Sequence, residues 1–358
     1  MSTFTQSAVL IMTSPMTSKL SQDVLQAYAL NDCKYSAITS GHINTTLLVH
    51  RGEDKYILQK LNPIFGPEVH QDIDAVTRLV DGAVKMPGLI PTHDGQLWAK
   101  TNSGEVWRLL EWMPGRTHLR AENTAMCESA GHLVGQFHRA LHKKEHRFSH
   151  RRLGVHDTAA HLDKLKKTLQ ANTEHGAFQE VSAMAEPVVQ ALEKMPDLTG
   201  YPERIAHGDL KISNILFDED FKATTLIDLD TLAPMPLAHD MGDALRSWCN
   251  PQGESSEEAA FSLSYFESSM RGYCKSVQGL FERDEILSII AGVETIALEL
   301  TVRFLADALN ESYFGWDREQ YPSASAHNLD RAKGQWAFAK SVGEQRAQAR
   351  EILESLLA

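Results

Sequence analysis

Cysteine is scarce and scattered in this sequence. The 358 residues include four cysteines, Cys33, Cys127, Cys249 and Cys274, and no two of them form a CxxC pair. Structural zinc sites and disulfide frameworks depend on closely spaced cysteines, so neither is expected here. Reduced thiols and a cytoplasmic location are predicted instead.

Basic residues are in the minority. Lys and Arg total 35 against 47 Asp and Glu, which gives a formal net charge of −12. Proteins that bind nucleic acid neutralise its phosphates with clustered Lys and Arg, so this balance argues against a nucleic-acid partner. It does not exclude a small anionic ligand, which needs only a local positive site.

Long apolar runs are missing as well. The run QSAVLIM at residues 6–12 is short and no Lys or Arg precedes it. No later run approaches the roughly 20 residues that span a bilayer. We therefore expect neither a signal peptide nor a membrane partner. The 16 histidines include no HExxH motif, and no transition-metal site is predicted.

The spacing of apolar residues changes along the chain. Residues 1–18 are rich in Ser, Thr and Met and are expected to form a loose tail, after which Ser21 is a suitable cap for a short helix. The stretches TTLLVH, YILQKL, QLWAK and EVWRLLEW are typical of strands, and VHQDIDAVTRLV is typical of a helix. After MPG at residues 113–115 the spacing favours helices. These patterns predict an α+β fold with a small β-rich N-lobe, residues 1–113, and a larger helical C-lobe, residues 114–358.

Two short stretches, HGDLKISN at residues 207–214 and TLIDLDT at residues 225–231, carry groups suited to phosphoryl transfer. This reaction needs a positioned acceptor hydroxyl and a divalent metal on the phosphates. The Asp209 carboxylate can orient a hydroxyl, and the oxygens of Asn214 and Asp228 are hard ligands that suit Mg²⁺. Asp209 alone is equally consistent with a turn or a helix cap. Asp228, in contrast, follows an apolar strand, where an unpartnered carboxylate is costly to bury.

The spacing D-x-x-x-x-N resembles the catalytic loop of the protein-kinase superfamily, and HGD is similar to the loop of the aminoglycoside-phosphotransferase-like kinases. This resemblance implies a bilobal protein-kinase-like fold, with ATP as co-substrate and Mg²⁺ as cofactor. It assigns Asp209 as catalytic base and Asn214 and Asp228 as metal ligands. It also implies that His207 braces the loop and that Lys211 contacts the transferred phosphate.

The same resemblance places a phosphate-covering hairpin at residues 40–49, SGHINTTLLV. Gly41, Asn44 and Thr45 are the predicted phosphate contacts in this hairpin. The segment lacks a GxGxxG motif, and a plain hairpin turn explains these residues equally well.

The remaining nucleotide contacts are expected further along the N-lobe. Lys60, in YILQKLN, lies where a kinase carries its nucleotide-binding lysine, and Glu68 is its preferred acidic partner among the acidic residues of the next helix. The backbone from Glu111 to Met113 is expected to form the hinge that reads adenine. A strand lysine that points to solvent is the alternative for Lys60.

Longer stretches narrow the resemblance. GHINTTLLV, YILQKLN, IDLDTLAPMPLAHDMGDALRS, RFLADALNESYF and NLDRAKGQ together resemble the N-acetylhexosamine 1-kinase group over about residues 38–340. That group implies transfer from ATP to the anomeric hydroxyl of N-acetylglucosamine or N-acetylgalactosamine. The product would be a sugar 1-phosphate that feeds salvage toward nucleotide sugars.

Four residues are predicted to contact this acceptor: Asp230, Asp243, Arg246 and Arg303. On a strand Asp230 would share a face with Asp228 and would reach the metal shell or the sugar. Asp243 and Arg246 are also spaced to pair on one helix, as Arg303 is with the acidic residue four positions later, so helix-face ion pairs are the alternative. Tyr313, Phe314 and Trp316 are either a sugar platform or core packing.

Other acceptors and another class of protein fit part of this pattern. Choline, a hydroxylated amino acid or an aminoglycoside are alternative acceptors for the same catalytic motif. A nucleotide-binding pseudokinase module is the alternative outside enzymes, but such proteins commonly lack the base or a metal ligand, and all three groups are present here. A protein kinase is disfavoured because no APE-like segment follows Asp228.

Overall fold

The computed structural model describes residues 20–38, 44–150 and 155–358. These residues divide into two units. The first comprises the described residues of Met1–Ala75 and Pro87–Met113, and the second those of Val76–Met86 and Pro114–Ala358. No helix in these described ranges is both long enough and apolar enough to cross a membrane.

The first unit is built on an antiparallel sheet. Within the described residues its six strands are β1 (Lys34–Ile38), β2 (Thr45–Arg51), β3 (Asp54–Lys60), β4 (Leu89–Ile90), β5 (Ala99–Lys100) and β6 (Val106–Glu111). They follow the order β1-β2-β3-β6-β4, and β5 also pairs with β6. The strands expected at TTLLVH, YILQKL and EVWRLLEW are confirmed, whereas only the last two residues of QLWAK are in a strand.

One face of this sheet is covered by the short helix α1 (Gln22–Ala27), which Ser21 caps by accepting a hydrogen bond from Asp23 N. Alternation along β2, β3 and β6 directs every second side chain to this face. The apolar cluster formed there contains Val24, Leu25, Tyr28, Leu30, Leu47, Val49, Leu58, Ala99, Trp107 and Leu109. We call this face the α1-covered face.

The helix predicted from VHQDIDAVTRLV is confirmed as α2 (Val69–Val80), and its predicted apolar positions Val69, Ile73, Val76 and Val80 are buried. Residues on one side of α2 recur every three or four positions, so a single buried stripe runs along the helix.

The second unit is mainly helical. Its helices are α3 (Thr124–Leu141), α4 (Thr158–Ala171), α5 (Phe178–Leu192), α6 (Leu237–Trp248), α7 (Leu263–Val277), α8 (Arg283–Leu287), α9 (Ile289–Asn310), α10 (Ala324–Glu344) and α11 (Arg346–Leu356). Between α5 and α6 in sequence lie two antiparallel strand pairs. They are β7 (Glu203–Ala206) with β10 (Ala233–Pro236), and β8 (Ile215–Phe217) with β9 (Ala223–Leu226).

Helix α9 forms the centre of this unit, because α4, α5, α6 and α10 all pack against it. The contact with α6 is close. A Cβ added to Gly292 would lie 1.9 Å from the carbonyl oxygen of Ala238, so only glycine permits this approach. The packing brings the polar side chains of α6 and α9 into one region of the unit.

Candidate active site

The HGD loop (residues 207–214) connects β7 to β8 and ends in a 3₁₀ turn, Ile212–Asn214. Gly208 has a φ of 79°, a left-handed conformation that favours glycine. A Cβ at this position would also lie 2.4 Å from the carbonyl oxygen of Thr231. The glycine of HGD is therefore a requirement of the backbone here.

Asp240, in the first turn of α6, anchors the backbone of this loop. Its side chain is completely buried and accepts hydrogen bonds from Gly208 N at 2.7 Å, His207 N at 3.1 Å and His138 Nε2 at 2.9 Å. Burial alone raises the pKa of this carboxyl, but the hydrogen bonds from His138 and Gly208 N outweigh it, so the pKa is lowered. Asp240 is thus an anion that holds the start of the HGD loop in place.

A second layer supports Asp240. Burial raises the pKa of Tyr273, so its hydroxyl stays protonated and donates to His138 Nδ1 at 2.9 Å. His138 then carries its proton on Nε2, facing Asp240. Sequence reasoning missed this function of His138. The available signal was its place beside Phe137 on the buried stripe of α3, where a polar group needs a partner.

Other contacts hold the rest of the loop. His207 braces it as the resemblance implied, because its Nε2 donates to the carbonyl oxygen of Ile227 at 3.0 Å and its Nδ1 accepts from Asp209 N at 3.3 Å. Two residues at the end of α6 add to this: Trp248 Nε1 donates to Leu210 O at 2.8 Å, and Ser247 Oγ accepts from Ile212 N at 2.9 Å. The loop is therefore fixed at several points along its length.

The carboxylate of Asp209 lies at the centre of this loop and is 23% exposed. Its Oδ2 accepts from Lys211 Nζ at 2.7 Å and from Asn214 Nδ2 at 2.9 Å. Burial raises the pKa of Asp209, but the Lys211 charge and hydrogen bond outweigh it and the pKa is lowered. The group is ionised at neutral pH, and its Oδ1 retains lone pairs for a hydroxyl.

Lys211 lies among three carboxylates. Burial lowers its pKa, but the charges of Asp209, Asp228 and Asp243 outweigh this and the pKa is raised. The ammonium group is therefore permanently charged next to Asp209, where it can also attract an anionic ligand.

Asn214 and Asp228 are the two oxygen donors predicted to bind a metal. The Asn214 amide is fixed by donation from Nδ2 to Asp209 O at 2.8 Å and to its Oδ2, which leaves the amide oxygen as the ligand atom. The described residues hold no group of three or more His, Cys, Asp or Glu side chains arranged to bind a metal. A site with few protein oxygens fits Mg²⁺, which usually keeps several waters and is shared with substrate phosphates.

The expectation that Asp228 and Asp230 share a strand face is wrong. Strand β9 ends at Leu226, Asp228 has a left-handed φ of 64°, and Asp230 lies in the 3₁₀ turn Leu229–Thr231. The turn arises because Ile227 is held on both sides, by Asn214 O and by His207. Asp228 is half-buried, whereas Asp230 is buried.

The predicted acceptor residues Asp243 and Arg246 form an ion pair of 2.8 Å along α6, and both are buried. Arg246 also contacts Glu254 at 3.3 Å. Burial lowers the pKa of Arg246, but the charges of Asp243 and Glu254 outweigh this effect, so the pKa is raised. The alternative of a helix pair is therefore confirmed. Even so, Asp243 Oδ2 and Arg246 Nε are buried and have no hydrogen-bond partner among the described residues.

Arg303 does not pair with the acidic residue four positions later. Its guanidinium lies 4.0 Å from Glu299 and over the rings of Tyr313 and Phe314, at 5.9 and 5.6 Å from the centroids. Asp307 instead accepts hydrogen bonds from the backbone N–H groups of residues 312–314. The pairing of Arg303 with Asp307 is wrong because the turn after α9 supplies better-placed donors to Asp307, and Arg303 lies beside Glu299 on the same helix instead.

Glu299 is a second buried group that sequence reasoning missed. It accepts from Thr158 Oγ1 at 3.1 Å and lies 3.3 Å from His156 Nδ1. Burial raises its pKa, but the hydrogen bond and charge of His156 outweigh this and lower the pKa to about 2. The available signal was a carboxylate in the middle of IALELTV, residues 296–302, a mostly apolar stretch of the helix.

Three residues in the segment 40–49 are predicted to contact phosphate. Gly41 lies outside the described residues. Asn44 accepts a hydrogen bond from Asn62 N at 2.9 Å through its Oδ1, which ties the start of β2 to the end of β3. Thr45 is exposed at the first position of β2. Their roles as phosphate contacts stay predictions.

The expected partner of Lys60 is wrong. Lys60 Nζ contacts Glu105 Oε1 at 2.5 Å, whereas Glu68 is exposed just before α2. The reason is the strand register, in which Lys60 faces Trp107 on β6 and so lies beside Glu105. Glu111 ends β6 and its N–H donates to Gly88 O, and Met113 is the last residue of the first unit. The hinge role of these two residues stays a prediction.

Comparison with known proteins gives one family and one fold. A model of the phosphotransferase enzyme family (APH) matches residues 34–272. An aminoglycoside phosphotransferase from Alicyclobacillus acidocaldarius is 16% identical, with 92% of this chain and 97% of that chain covered and a TM-score of 0.59. The amicoumacin kinase hAmiN, in complex with AMP-PNP, Ca²⁺ and Ami, is 12% identical, with 90% and 91% covered and a TM-score of 0.59. A choline kinase from Cryptosporidium parvum is 12% identical, with 96% of both chains covered and a TM-score of 0.56. At these identities the likeness establishes the fold, and the predicted protein-kinase-like fold is confirmed.

Proposed function

The chain belongs to the phosphotransferase enzyme family, and we propose that it transfers the γ-phosphate of ATP to the anomeric hydroxyl of an N-acetylhexosamine. The prediction of a phosphotransferase is confirmed by the family match over residues 34–272. The observation that carries the proposed mechanism is the Asp209 carboxylate, ionised and held by Lys211 and Asn214 in a loop that Asp240 anchors.

In this mechanism Asp209 accepts a hydrogen bond from the acceptor hydroxyl and orients its oxygen toward the γ-phosphorus. The new oxygen–phosphorus bond forms as the bond between the γ-phosphorus and the leaving oxygen of ADP breaks, and the hydroxyl proton passes to Asp209. A carboxylate of low pKa is a weak base, so positioning is its larger contribution. Proton transfer follows easily because the transition state is loose and the hydroxyl becomes acidic as its bond to phosphorus forms.

A divalent metal on the ATP phosphates would be held by the amide oxygen of Asn214 and the carboxylate of Asp228, and it would neutralise charge on the transferred group. The presence of AMP-PNP and Ca²⁺ with the amicoumacin kinase supports a nucleotide and a divalent cation here. The ammonium of Lys211, next to Asp209, is suited to a phosphate oxygen. Mg²⁺ and ATP remain part of the proposal.

The charges around Asp209 support a neutral acceptor. Two carboxylates of the second unit are already balanced by cations: Asp243 by Arg246, and Glu299 by His156 and Arg303. A polycationic acceptor such as an aminoglycoside needs unbalanced carboxylates, and neither of these two groups is one. The unpartnered Asp243 Oδ2 and Arg246 Nε are instead suited to the donor and acceptor of a sugar hydroxyl.

The exposed aromatic surface points in the same direction. Tyr313 is 38% exposed, and two cations already lie over its ring: Arg303 at 5.9 Å and Lys164 Nζ at 5.8 Å from the centroid. A quaternary ammonium such as choline would be repelled by these groups. A neutral sugar ring can stack on Tyr313 and accept a hydrogen bond from Arg303.

The test is a phosphorus NMR spectrum of the purified protein with MgATP and N-acetylglucosamine. The signal of a sugar 1-phosphate is expected, and the methyl glycoside, whose anomeric oxygen is blocked, should give none. Choline and an aminoglycoside serve as competing acceptors, and transfer to either in place of the sugar would refute the acceptor assignment. Binding of MgATP without transfer to any acceptor would favour a pseudokinase. A cytoplasmic location, where ATP is available, belongs to this proposal.

A further inference from the structure

Lys60 lies on the face of the first-unit sheet that α1 covers. Side chains two residues apart share a face of a strand, so Lys60 shares the α1-covered face with Leu58. Its register partner, Trp107, also belongs to that apolar cluster. The Lys60 ammonium contacts Glu105, and Trp107 Nε1 lies 3.4 Å from the same carboxylate. The charge of Lys60 is thus balanced by Glu105 on the side of the sheet that α1 covers.

The opposite face carries two parallel rows across β2, β3 and β6. Leu48, Ile57 and Leu110 are register partners and form an apolar row. Thr46, Gln59 and Arg108 are register partners one step further and form a polar row. Side chains that are two residues apart on a strand are about 7 Å apart, which is therefore the separation of the two rows.

The polar row is joined by hydrogen bonds. Arg108 Nε donates to Gln59 Oε1 at 2.9 Å, and Gln59 Nε2 donates to Thr46 Oγ1 at 3.1 Å. Arg108 is only 2% exposed, whereas Gln59 and Thr46 are half-buried. The amide of Gln59 is thus held in one orientation, directly beside a buried guanidinium, at a position that a ligand can reach.

The two rows match the two parts of a nucleotide. A flat base favours the apolar row, and phosphates need hydrogen-bond donors a few ångströms away, which the polar row supplies. The α1-covered face offers neither, because its apolar residues are packed against α1 and its lysine is paired.

Resting on the proposed function, we propose that Gln59, supported by Arg108, holds the phosphates of the nucleotide, and that Lys60 does not. The second N–H of the Gln59 amide donates to a phosphate oxygen. Arg108 acts as a positioning residue that fixes this amide. A glutamine–arginine pair then takes the place of the lysine that the resemblance assigned to this strand.

Two substitutions with the same change in charge separate the faces. Gln59→Glu adds one negative charge, and Lys60→Gln removes one positive charge. Each therefore changes the net charge by −1, at adjacent residues of β3. Their dissociation constants for ADP and for adenosine are measured by calorimetry on the full chain. We expect Gln59→Glu to weaken ADP binding at least about tenfold while adenosine binding is unchanged, because a carboxylate beside the phosphates repels them. Lys60→Gln should leave both constants unchanged.

A neutral variant guards against a folding defect. Gln59→Met keeps the length of the side chain, removes the donor and should weaken ADP but not adenosine, with circular dichroism like that of the unsubstituted protein. The proposal would be overturned if Lys60→Gln weakened ADP binding. It would also be overturned if Gln59→Glu and Gln59→Met both left ADP binding unchanged. If the unsubstituted protein binds neither ADP nor adenosine, the proposed function itself fails, which is a different outcome.

Discussion

Replacing Asp240 with asparagine tests how the HGD loop is held. The carboxylate accepts three hydrogen bonds, from His207 N, Gly208 N and His138 Nε2, and is completely buried. An asparagine has one acceptor oxygen, so its NH₂ group must face at least one of these N–H donors. The substitution is nearly isosteric, and what it changes is charge and hydrogen bonding alone.

The magnitude follows from those bonds. A hydrogen bond to a charged group contributes about 1.5–3 kcal/mol, and losing one of three while weakening the others destabilises the fold by roughly 3 kcal/mol. The loop also loses the group that fixes its first residues. A misplacement of Asp209 by about 1 Å lowers the rate about 100-fold. Nucleotide affinity should change less, because Asp240 is not itself a proposed nucleotide contact and Gln59 lies outside this loop.

The assay combines urea unfolding, followed by tryptophan fluorescence, with steady-state kinetics at saturating MgATP. The free energy of unfolding and kcat should both fall, with an unchanged denaturant slope. Asp197→Asn is the matched control, because Asp197 also accepts two hydrogen bonds, from Thr199, but in an exposed turn. A variant at Asp240 with lowered stability and normal kcat would refute the view that this residue positions the loop.

Three further predictions follow from the second unit. Burial lowers the pKa of His239 to about 4, below the 6.5 of the unfolded chain. Between these two values the unfolded state binds more protons than the folded state. The free energy of unfolding therefore falls by about 3 kcal/mol as the pH drops from 6.5 to 4. Urea unfolding of His239→Gln should show a correspondingly smaller slope over this range. Gly292→Ala should destabilise the fold by about 2 kcal/mol or more, since the new Cβ would overlap Ala238 O, whereas Gly176→Ala, with nothing within 4 Å, should not. Asp228→Ala should abolish turnover and remove the Mg²⁺ dependence of ADP binding measured by calorimetry; unchanged dependence would contradict its role as a metal ligand.

The local chemistry of the site was predictable because it depends on residue type and short spacing. HGDLKISN contains the carboxylate, the ammonium and the amide within six residues, and the structure brings all three together. The glycine was predictable for the same reason, since a tight loop needs it. What lay beyond the sequence was the anchor. Asp240 is 32 residues from Gly208, and the sequence around it shows only an amphipathic helix.

The face of Lys60 was not predictable from its own strand. In YILQK each face of the strand carries both apolar and polar side chains. The sequence therefore does not show whether the face with Ile57 or the face with Leu58 is the buried one. Leu58 is buried in the same apolar cluster as Val24 and Leu25 of α1, and this cluster joins residues far apart in the sequence. Asp228 is a similar case, because the apolar run TTLI suggests that the strand continues, whereas hydrogen bonds from the HGD loop turn the chain at Ile227.

The central claim is that Asp209 positions and deprotonates the acceptor hydroxyl. Its most direct test is the single-turnover rate of phosphoryl transfer from MgATP to N-acetylglucosamine, measured by rapid quench for Asp209→Asn. Asp218→Asn, at a carboxylate that accepts backbone hydrogen bonds in an exposed turn, is the control. We predict a rate lowered by about 10²–10⁴-fold at Asp209, with MgATP affinity largely retained and the control unaffected. A variant of Asp209 that transfers phosphate at a near-normal rate would contradict the account.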